Sequence, residues 1–325
     1  MESNIEIVKY NPDHKEIWNA FVESSKNGTF LFNRDYMDYH SDRFLDFSLL
    51  VFRKKKLYCL LPANIREVGD TKVIYSHQGL TYGGLVMGDK CTAEGVMQVF
   101  DELKDYLKEK GITKFVYKPV PYIYHSLPSE EDLYALFRND AKLIVRNISS
   151  TISLYNPLKL NKDRREAVRR AQRNGLYVKT STNYDAFWKI LEDNLMITYG
   201  AKPVHSLEEI KRLVDLFPDK IKIQGSFKKD ENGEKMLAGI VCYLMGNTVH
   251  AQYISATPEG KKMGAVDLIV NNLIEKYKEG NSKVEYIDLV TSNEENGRVL
   301  NETLIYQKEG FGGRAVCYDT YEWVL

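Results

Sequence analysis

Towards its end the chain reads YQKEGFGGR, from Tyr306 to Arg314. A phenol, a lysine two residues on, then Gly310-Phe311 and two more glycines spell a helix that stops and turns. Gly310 is expected in the left-handed position, with Phe311 packed back on the last turn. Such a cap would hold the Tyr306 hydroxyl still, where it can donate a proton; a core tyrosine beneath the cap has the same spelling. Further upstream, strand TVHAQYIS places His250 and Gln252 on one face, because side chains alternate along a strand. An imidazole that titrates near neutrality can take a proton from an ammonium, which makes His250 a candidate base. A hydrogen-bonded structural histidine is the plain alternative. EGKKMGA, Glu259 to Ala265, opens a helix near Ala265. Exposed amides at a helix N-terminus, with Lys261 and Lys262 beside them, attract phosphate. The stretch has neither the Gly-x-Gly-x-x-Gly nor the Gly-Lys-Ser/Thr pattern.

Two loops of the first half carry similar residue types. SHQGLTYGG (Ser76 to Gly84) and KPVPYIYH (Lys118 to His125) set tyrosine and histidine beside Gly or Pro just beyond expected strands. Functional groups collect at such loops. His77, Tyr82, Tyr124 and His125 are candidates there for lining a ligand cleft between the halves. Gln252 joins them, as does His205, which stands just before a helix cap in AKPVHSLEE. As turn residues they need no function. In KDRREAVRRAQRNG, Arg165, Arg169 and Arg173 recur on one helix face, with Arg164 and Arg170 beside them. That face could grip phosphates of a nucleotide, a lipid-linked sugar or tRNA. It also fits a solvated face partly paired with Asp163 and Glu166.

The chain has 325 residues, enough for two domains with sizeable cores. Lys plus Arg equals Asp plus Glu at 45 each, so no global field selects nucleic acid. The tyrosine count, 22, is high and suits polar clefts. Cys59, Cys91, Cys242 and Cys317 are far apart, without metal-type Cys/His spacing. They read as small core residues, and no metal is expected. No run is long and apolar enough to span a membrane, and MESNIEIVKYNPD lacks the apolar core of a signal peptide. A cytoplasmic protein is therefore expected.

The elements that would position these groups occur twice. Val8-Lys9 matches Val178-Lys179, Trp18 matches Trp188, Tyr117 matches Tyr286 and Thr151 matches Thr320, all at a spacing of about 170 residues. Each half reads as a strand and helix, a run of strands, a helix, a strand, a helix and a last strand. Ser129 with Asp132 and Ser206 with Glu209 have capping-box spacing, and DENG reads as a hairpin turn. The expected class is α/β, with α+β mixed sheets bearing helices on their faces. Two domains, 1–156 and 157–325, would join near Asn156-Pro157.

This order, closing on Tyr306-x-Lys308-x-Gly310-Phe311, resembles the GNAT acyltransferase fold. Two such halves in one chain resemble the FemAB-like branch of tandem acyltransferases, to which the basic helix and KEGFGGR are also similar. The resemblance implies two tandem GNAT-like domains. The first would be degenerate and acceptor-side, since its counterpart of Tyr306 is Phe137; the second would bind the donor. It implies an N-acyltransferase taking an acyl group from acetyl-CoA or another acyl-CoA. The acceptor would be the amine of a small molecule or of a cell-envelope or polysaccharide precursor. Tyr306 would then protonate the departing thiolate and His250 would act as base. Backbone amides at Tyr253, Ile254 and Ser255 would polarise the acyl carbonyl, and Lys261, Lys262, Gly264 and Ala265 would hold the pyrophosphate. The family's loop reads Gln/Arg-x-x-Gly-x-Gly/Ala; Gly264 fits it, whereas Lys261 and Val266 do not. That departure and the basic helix favour a second donor, aminoacyl-tRNA, as in FemAB-type aminoacyltransferases. Against it stands the lack of a long coiled-coil insertion of the kind some tRNA-using relatives carry. A third reading is a non-catalytic binding protein on a decayed GNAT fold, against which Tyr306 and Gly264 argue.

Overall fold

The computed structural model describes residues 4–231, 233–278 and 282–325. No single cut divides the chain. Unit 1 comprises Met1–Asn147, Glu295–Val299 and Cys317–Leu325, and unit 2 comprises Ile148–Glu294 and Leu300–Val316. Both are mixed α/β. Among the described residues no helix is long and apolar enough to cross a membrane.

Unit 1 runs through β1 (Ile5–Lys9), α1 (Lys15–Ser24), α2 (Arg34–Met37), β2 (Leu49–Arg53), β3 (Lys56–Leu61), β4 (Asn64–Val68), β5 (Thr71–Tyr75), β6 (Val86–Met87), α3 (Ala93–Glu109), β7 (Ile112–Tyr117) and α4 (Glu131–Arg138). Strands β1, β2, β3 and β6 form one antiparallel sheet. In a second sheet β4 pairs antiparallel with β5, and β5 pairs parallel with β7. Residues 321–324, far along the chain, return to pair antiparallel with β7. The apolar residues recurring at helical spacing after Thr92 form the buried face of α3. Val96, Val99, Phe100, Leu103 and Leu107 pack with Phe115, Tyr117 and Trp323, and Thr92 caps the helix by accepting from the Gly95 amide.

The capping box expected at Ser129 and Asp132 does not form. Glu130 is the residue before α4, without a side-chain cap, and Ser129 Oγ donates to the Leu127 carbonyl. Asp132 is drawn into the core instead, where it accepts from the Tyr117 hydroxyl at 2.5 Å. The thiols divide as well: Cys59, Cys91 and Cys242 are buried as expected, whereas Cys317 is exposed.

Unit 2 begins within β8 (Lys142–Ser153). It continues through α5 (Lys162–Arg173), β9 (Tyr177–Ser181), α6 (Tyr184–Tyr199), α7 (Leu207–Leu216), β10 (Ile221–Asp230), β11 (Gly233–Met245), β12 (Thr248–Ala256), α8 (Pro258–Met263), α9 (Ala265–Lys278) and β13 (Tyr286–Thr291). Short strands β14 (Asn293–Glu294) and β15 (Val299–Leu300), helix α10 (Glu302–Gly310) and strand β16 (Arg314–Val324) complete the chain. The order β9-β10-β11-β12 is antiparallel throughout; β12 then pairs parallel with β13, and β13 antiparallel with β8. The expected hairpin turn DENG joins β10 to β11, although its Asn232 lies outside the described residues.

Strand β11 is buried at successive positions from Met236 to Tyr243, as a strand covered on both faces must be. Ala238, Ile240 and Cys242 pack with Leu268, Ile269 and Leu273 of α9. At Gly239 a Cβ would meet the Phe187 ring of α6 at 2.4 Å. The capping box at Ser206 and Glu209 is present and starts α7.

Two details of the second half differ from expectation. EGKKMGA is not one helix start: α8 ends at Gly264, which is left-handed at φ +83°, and α9 begins anew at Ala265. At the closing motif the left-handed glycine is Gly312, at φ +93°, rather than Gly310, which is the last residue of α10. Gly310 is small because Asn161 and Arg164 press on it, a Cβ there lying 2.9 Å from the Asn161 amide nitrogen. Phe311 is buried in the unit 2 core, as expected of the residue that packs back.

Candidate active site

Strands β12 and β13 pair for only three residues, Thr248–His250 against Tyr286–Asp288, and then part. Both members of the last pair are ionisable and buried, His250 1% and Asp288 0% exposed. His250 Nδ1 lies 2.8 Å from Asp288 Oδ2. The carboxylate neighbour assigns the proton to Nδ1, so Nε2 carries the lone pair of the neutral ring. Asp288 Oδ1 is held on its other side by the Ser149 hydroxyl, the Thr151 hydroxyl at 3.4 Å and the Val290 amide at 3.2 Å. The burial that isolates this carboxylate therefore comes with hydrogen bonds to stabilise its charge.

Just past His250, the register of β12 against β11 shifts. Val241 faces Tyr253 and Cys242 faces Ala251, so Gln252 is the extra residue of a bulge. The alternation that would place His250 and Gln252 on one face is interrupted at that point. Instead the bulge brings the Gln252 side chain to the Tyr253 hydroxyl. His205 meets the same hydroxyl, with its amide at 3.3 Å and its Nδ1 at 2.5 Å. Burial pushes the Tyr253 phenol up to about 12, partly offset by hydrogen bonds from His205 and Gln252. Trp188 of α6 lies edge-on to the Tyr253 ring at 5.3 Å. The fold thus joins three residues read separately in the sequence. Ile254 and Ser255 continue the pairing with β11, and Ser255 Oγ donates to the Ile190 carbonyl.

The turn from α8 to α9 faces α5. A Cβ on Gly264 would lie 2.5 Å from the Ala167 carbonyl oxygen. In the first turn of α9, Asp267 pairs with Arg164 of α5 at 2.8 Å. Burial raises the Asp267 carboxyl, and Arg164 opposes the shift. A cavity of about 340 Å³ opens beside this pair, lined by Asp163, Glu166 and Asp267 against Arg164, Arg170 and Lys261, with Gln307 at its edge. Lys261 reaches Asn194, and both Lys261 and Lys262 are exposed. The α5 arginines divide: Arg164 turns inward, Arg173 pairs with Glu166, and Arg165, Arg169 and Arg170 are exposed.

Tyr306 stands on α10 at 58% exposure, its hydroxyl donating to Asp163 Oδ2 at 3.1 Å. Its neighbour in the motif is the more constrained group. Lys308 is buried, and its ammonium donates to the carbonyls of Val290 and Thr291 at 2.9 and 2.8 Å. Burial pulls its pKa down to about 8, with Asp288 opposing. Asp288 and Lys308 escaped the sequence reading as functional groups. Lys308 was visible inside the motif, but Asp288 carries no local signal.

In unit 1, His77, Tyr82, Tyr124 and His125 are all buried. His77 stacks on His40 at 5.1 Å, and burial, His40 and Arg34 together pull its pKa to about 3. His125 Nε2 meets the Val120 carbonyl at 2.9 Å, and burial lowers its pKa to about 4. Both imidazoles are therefore neutral at pH 7. Tyr82 reaches Thr29 at 3.3 Å and packs on Tyr124, whose hydroxyl meets that of Tyr318 at 2.8 Å.

No protein-family model and no curated protein matches the chain. Solved structures do. FemX superposes with a TM-score of 0.71 at 12% identity, over 98% of this chain and 97% of FemX. L-PGS from Bacillus licheniformis gives 0.58 at 13% identity, over 96% and 91%. A tandem GNAT protein from the clavulanic acid biosynthesis pathway gives 0.50 at 11% identity, over 98% of each chain. The chain has a tandem GNAT-like fold related to that of FemX.

Proposed function

We propose that the chain transfers an activated acyl group to an amine, and that the reaction takes place where β12 and β13 part. The observation that carries this reading is the buried His250–Asp288 pair at that point. An amine is mostly protonated near neutrality and must lose a proton before it attacks a carbonyl. With Nδ1–H directed to Asp288, Nε2 of His250 is the basic site. Beyond His250 the edge of β12 is no longer laddered to β13, and strand amides there would stabilise the oxyanion. The leaving group needs a proton in turn, for which Tyr306 and Tyr253 are the two candidate phenols. In this reading the second half binds the donor, the first half binds the acceptor, and the acceptor is a small-molecule or envelope-precursor amine.

The donor divides the proposal in two. An acyl-CoA would set its pyrophosphate at the N-terminus of α9. The residues there fit it poorly: Asp267 and Arg164 already neutralise one another in the first turn, and Gly264 lies against Ala167. Like charge at a helix N-terminus competes for the same dipole. We therefore favour an aminoacyl ester on tRNA, whose phosphates the exposed α5 arginines could meet. The test pairs calorimetry of acetyl-CoA with discharge of a mixture of charged tRNAs by the purified protein in the presence of amines. Micromolar acetyl-CoA binding would overturn the tRNA donor. Discharge that depends on His250, without acetyl-CoA binding, would support it. Neither binding nor discharge would move the weight to a fold that has lost its donor site.

A further inference from the structure

The strand that carries Asp288 is not regular. Against β8, Asp288 faces Thr151 and Thr291 faces Ser149, so β13 holds one extra residue between them. Within that bulge Val290 adopts φ +65°. The left-handed region crowds any Cβ, and a β-branched side chain most of all. Such a conformation persists only where its surroundings over-determine it.

The surroundings here can be named. The Val290 amide donates to Asp288 Oδ1, two residues back, at 3.2 Å. The Val290 carbonyl accepts from the Lys308 ammonium at 2.9 Å, and the same ammonium serves the Thr291 carbonyl at 2.8 Å. Successive carbonyls of an extended strand point to opposite edges, so a single cation joins two of them only where the strand is broken. Val290 is thus pinned at both ends, by a carboxylate and by a cation. A capping role alone would not need a buried charge, since water or a hydroxyl satisfies carbonyls at an exposed turn.

We propose that the Val290 bulge, locked by Lys308, is the positioning device of the site. It fixes the Asp288 carboxylate so that Oδ2 meets His250 Nδ1, and it thereby holds His250 in one tautomer. Lys308 in this role is a positioning residue acting through the backbone. The inference rests on the reading of His250 as the base, but its test does not require turnover.

The test is nitrogen-15 NMR of the full chain labelled at histidine, with His250 assigned by its loss in His250→Gln. The wild type should show His250 as a single tautomer with a slowly exchanging Nδ1 proton. Lys308→Met should remove that proton resonance and move both ring nitrogens towards averaged shifts. Adding Val290→Gly should restore the single tautomer, because glycine holds a left-handed φ without help. Unchanged signals in Lys308→Met would overturn the proposal. So would a double variant that stays averaged, since Lys308 would then act by another route. If Lys308→Met does not fold, the wild-type Val290 amide decides. Protection of at least about tenfold over an open loop amide supports the lock, and exchange as fast as such a loop overturns it. A chain inactive towards every donor would sink the transferase reading and leave these outcomes untouched.

Discussion

His250→Gln keeps an amide that can face Asp288 but removes the imidazole Nε2. It should lower acyl transfer by roughly 10²–10⁴-fold while the thermal midpoint moves little, as initial rates beside calorimetric melts would show. The two phenols separate by the same logic. Tyr306 is exposed and donates to Asp163, whereas Tyr253 is half-buried on β12 and fixed by His205. Tyr253→Phe should therefore cost more than tenfold in kcat, and Tyr306→Phe less than about threefold. The reverse order would return the acid to the helix end. Asp132 makes a prediction about stability. Burial lifts its carboxyl from 3.8 to about 7, against hydrogen bonds from Tyr117 and the Leu133 amide. The folded chain then holds that proton more tightly than the unfolded one. The associated stability is full below about pH 4 and is lost as pH rises through about 7. Melting curves across this window should slope downwards, and Asp132→Asn should flatten the slope.

Among the elements, the contact between α5 and the start of α9 is the most exacting. Gly264 needs both its φ of +83° and the absence of a Cβ 2.5 Å from the Ala167 carbonyl. Gly264→Ala should destabilise the chain by about 2 kcal/mol or more in urea unfolding, with or without ligand. Local signals at this scale were legible where one element supplied all the partners. Ser206 and Glu209 cap α7 from within a single turn, and the α3 stripe is set by helical spacing alone. Asp132 and Ser129 have the same box spacing, yet the carboxylate is taken by Tyr117 from a neighbouring strand, and burial overrides the cap. Gly310 looked like the left-handed residue because it precedes Phe311, but the pressure on it comes from Asn161 and Arg164, far away in sequence. His250 was legible as a candidate by residue type. Its partner Asp288 was not, because a parallel pairing across two helices brings them together, and the bulges at Gln252 and Val290 have no spelling of their own.

At the scale of the molecule, the tandem order of elements was legible from the repeat, whereas the exchange of chain at the end was not. Trp323 has no local sign that it belongs to unit 1, yet it is fully buried there, 5.2 Å from the Phe100 ring and close to Phe115. Trp323→Ala should cost about 3–5 kcal/mol. Hydrogen exchange should report the loss in unit 1, at Val99 for example, well before Ile240 of unit 2. The same segment orders events during synthesis. Domains usually fold as their residues leave the ribosome, the N-terminal one first. Here residues 317–325 belong to unit 1 and follow all of unit 2. The half of the protein that is translated first is completed last, and until Trp323 emerges the nascent chain carries an open β7 edge for chaperones to shield.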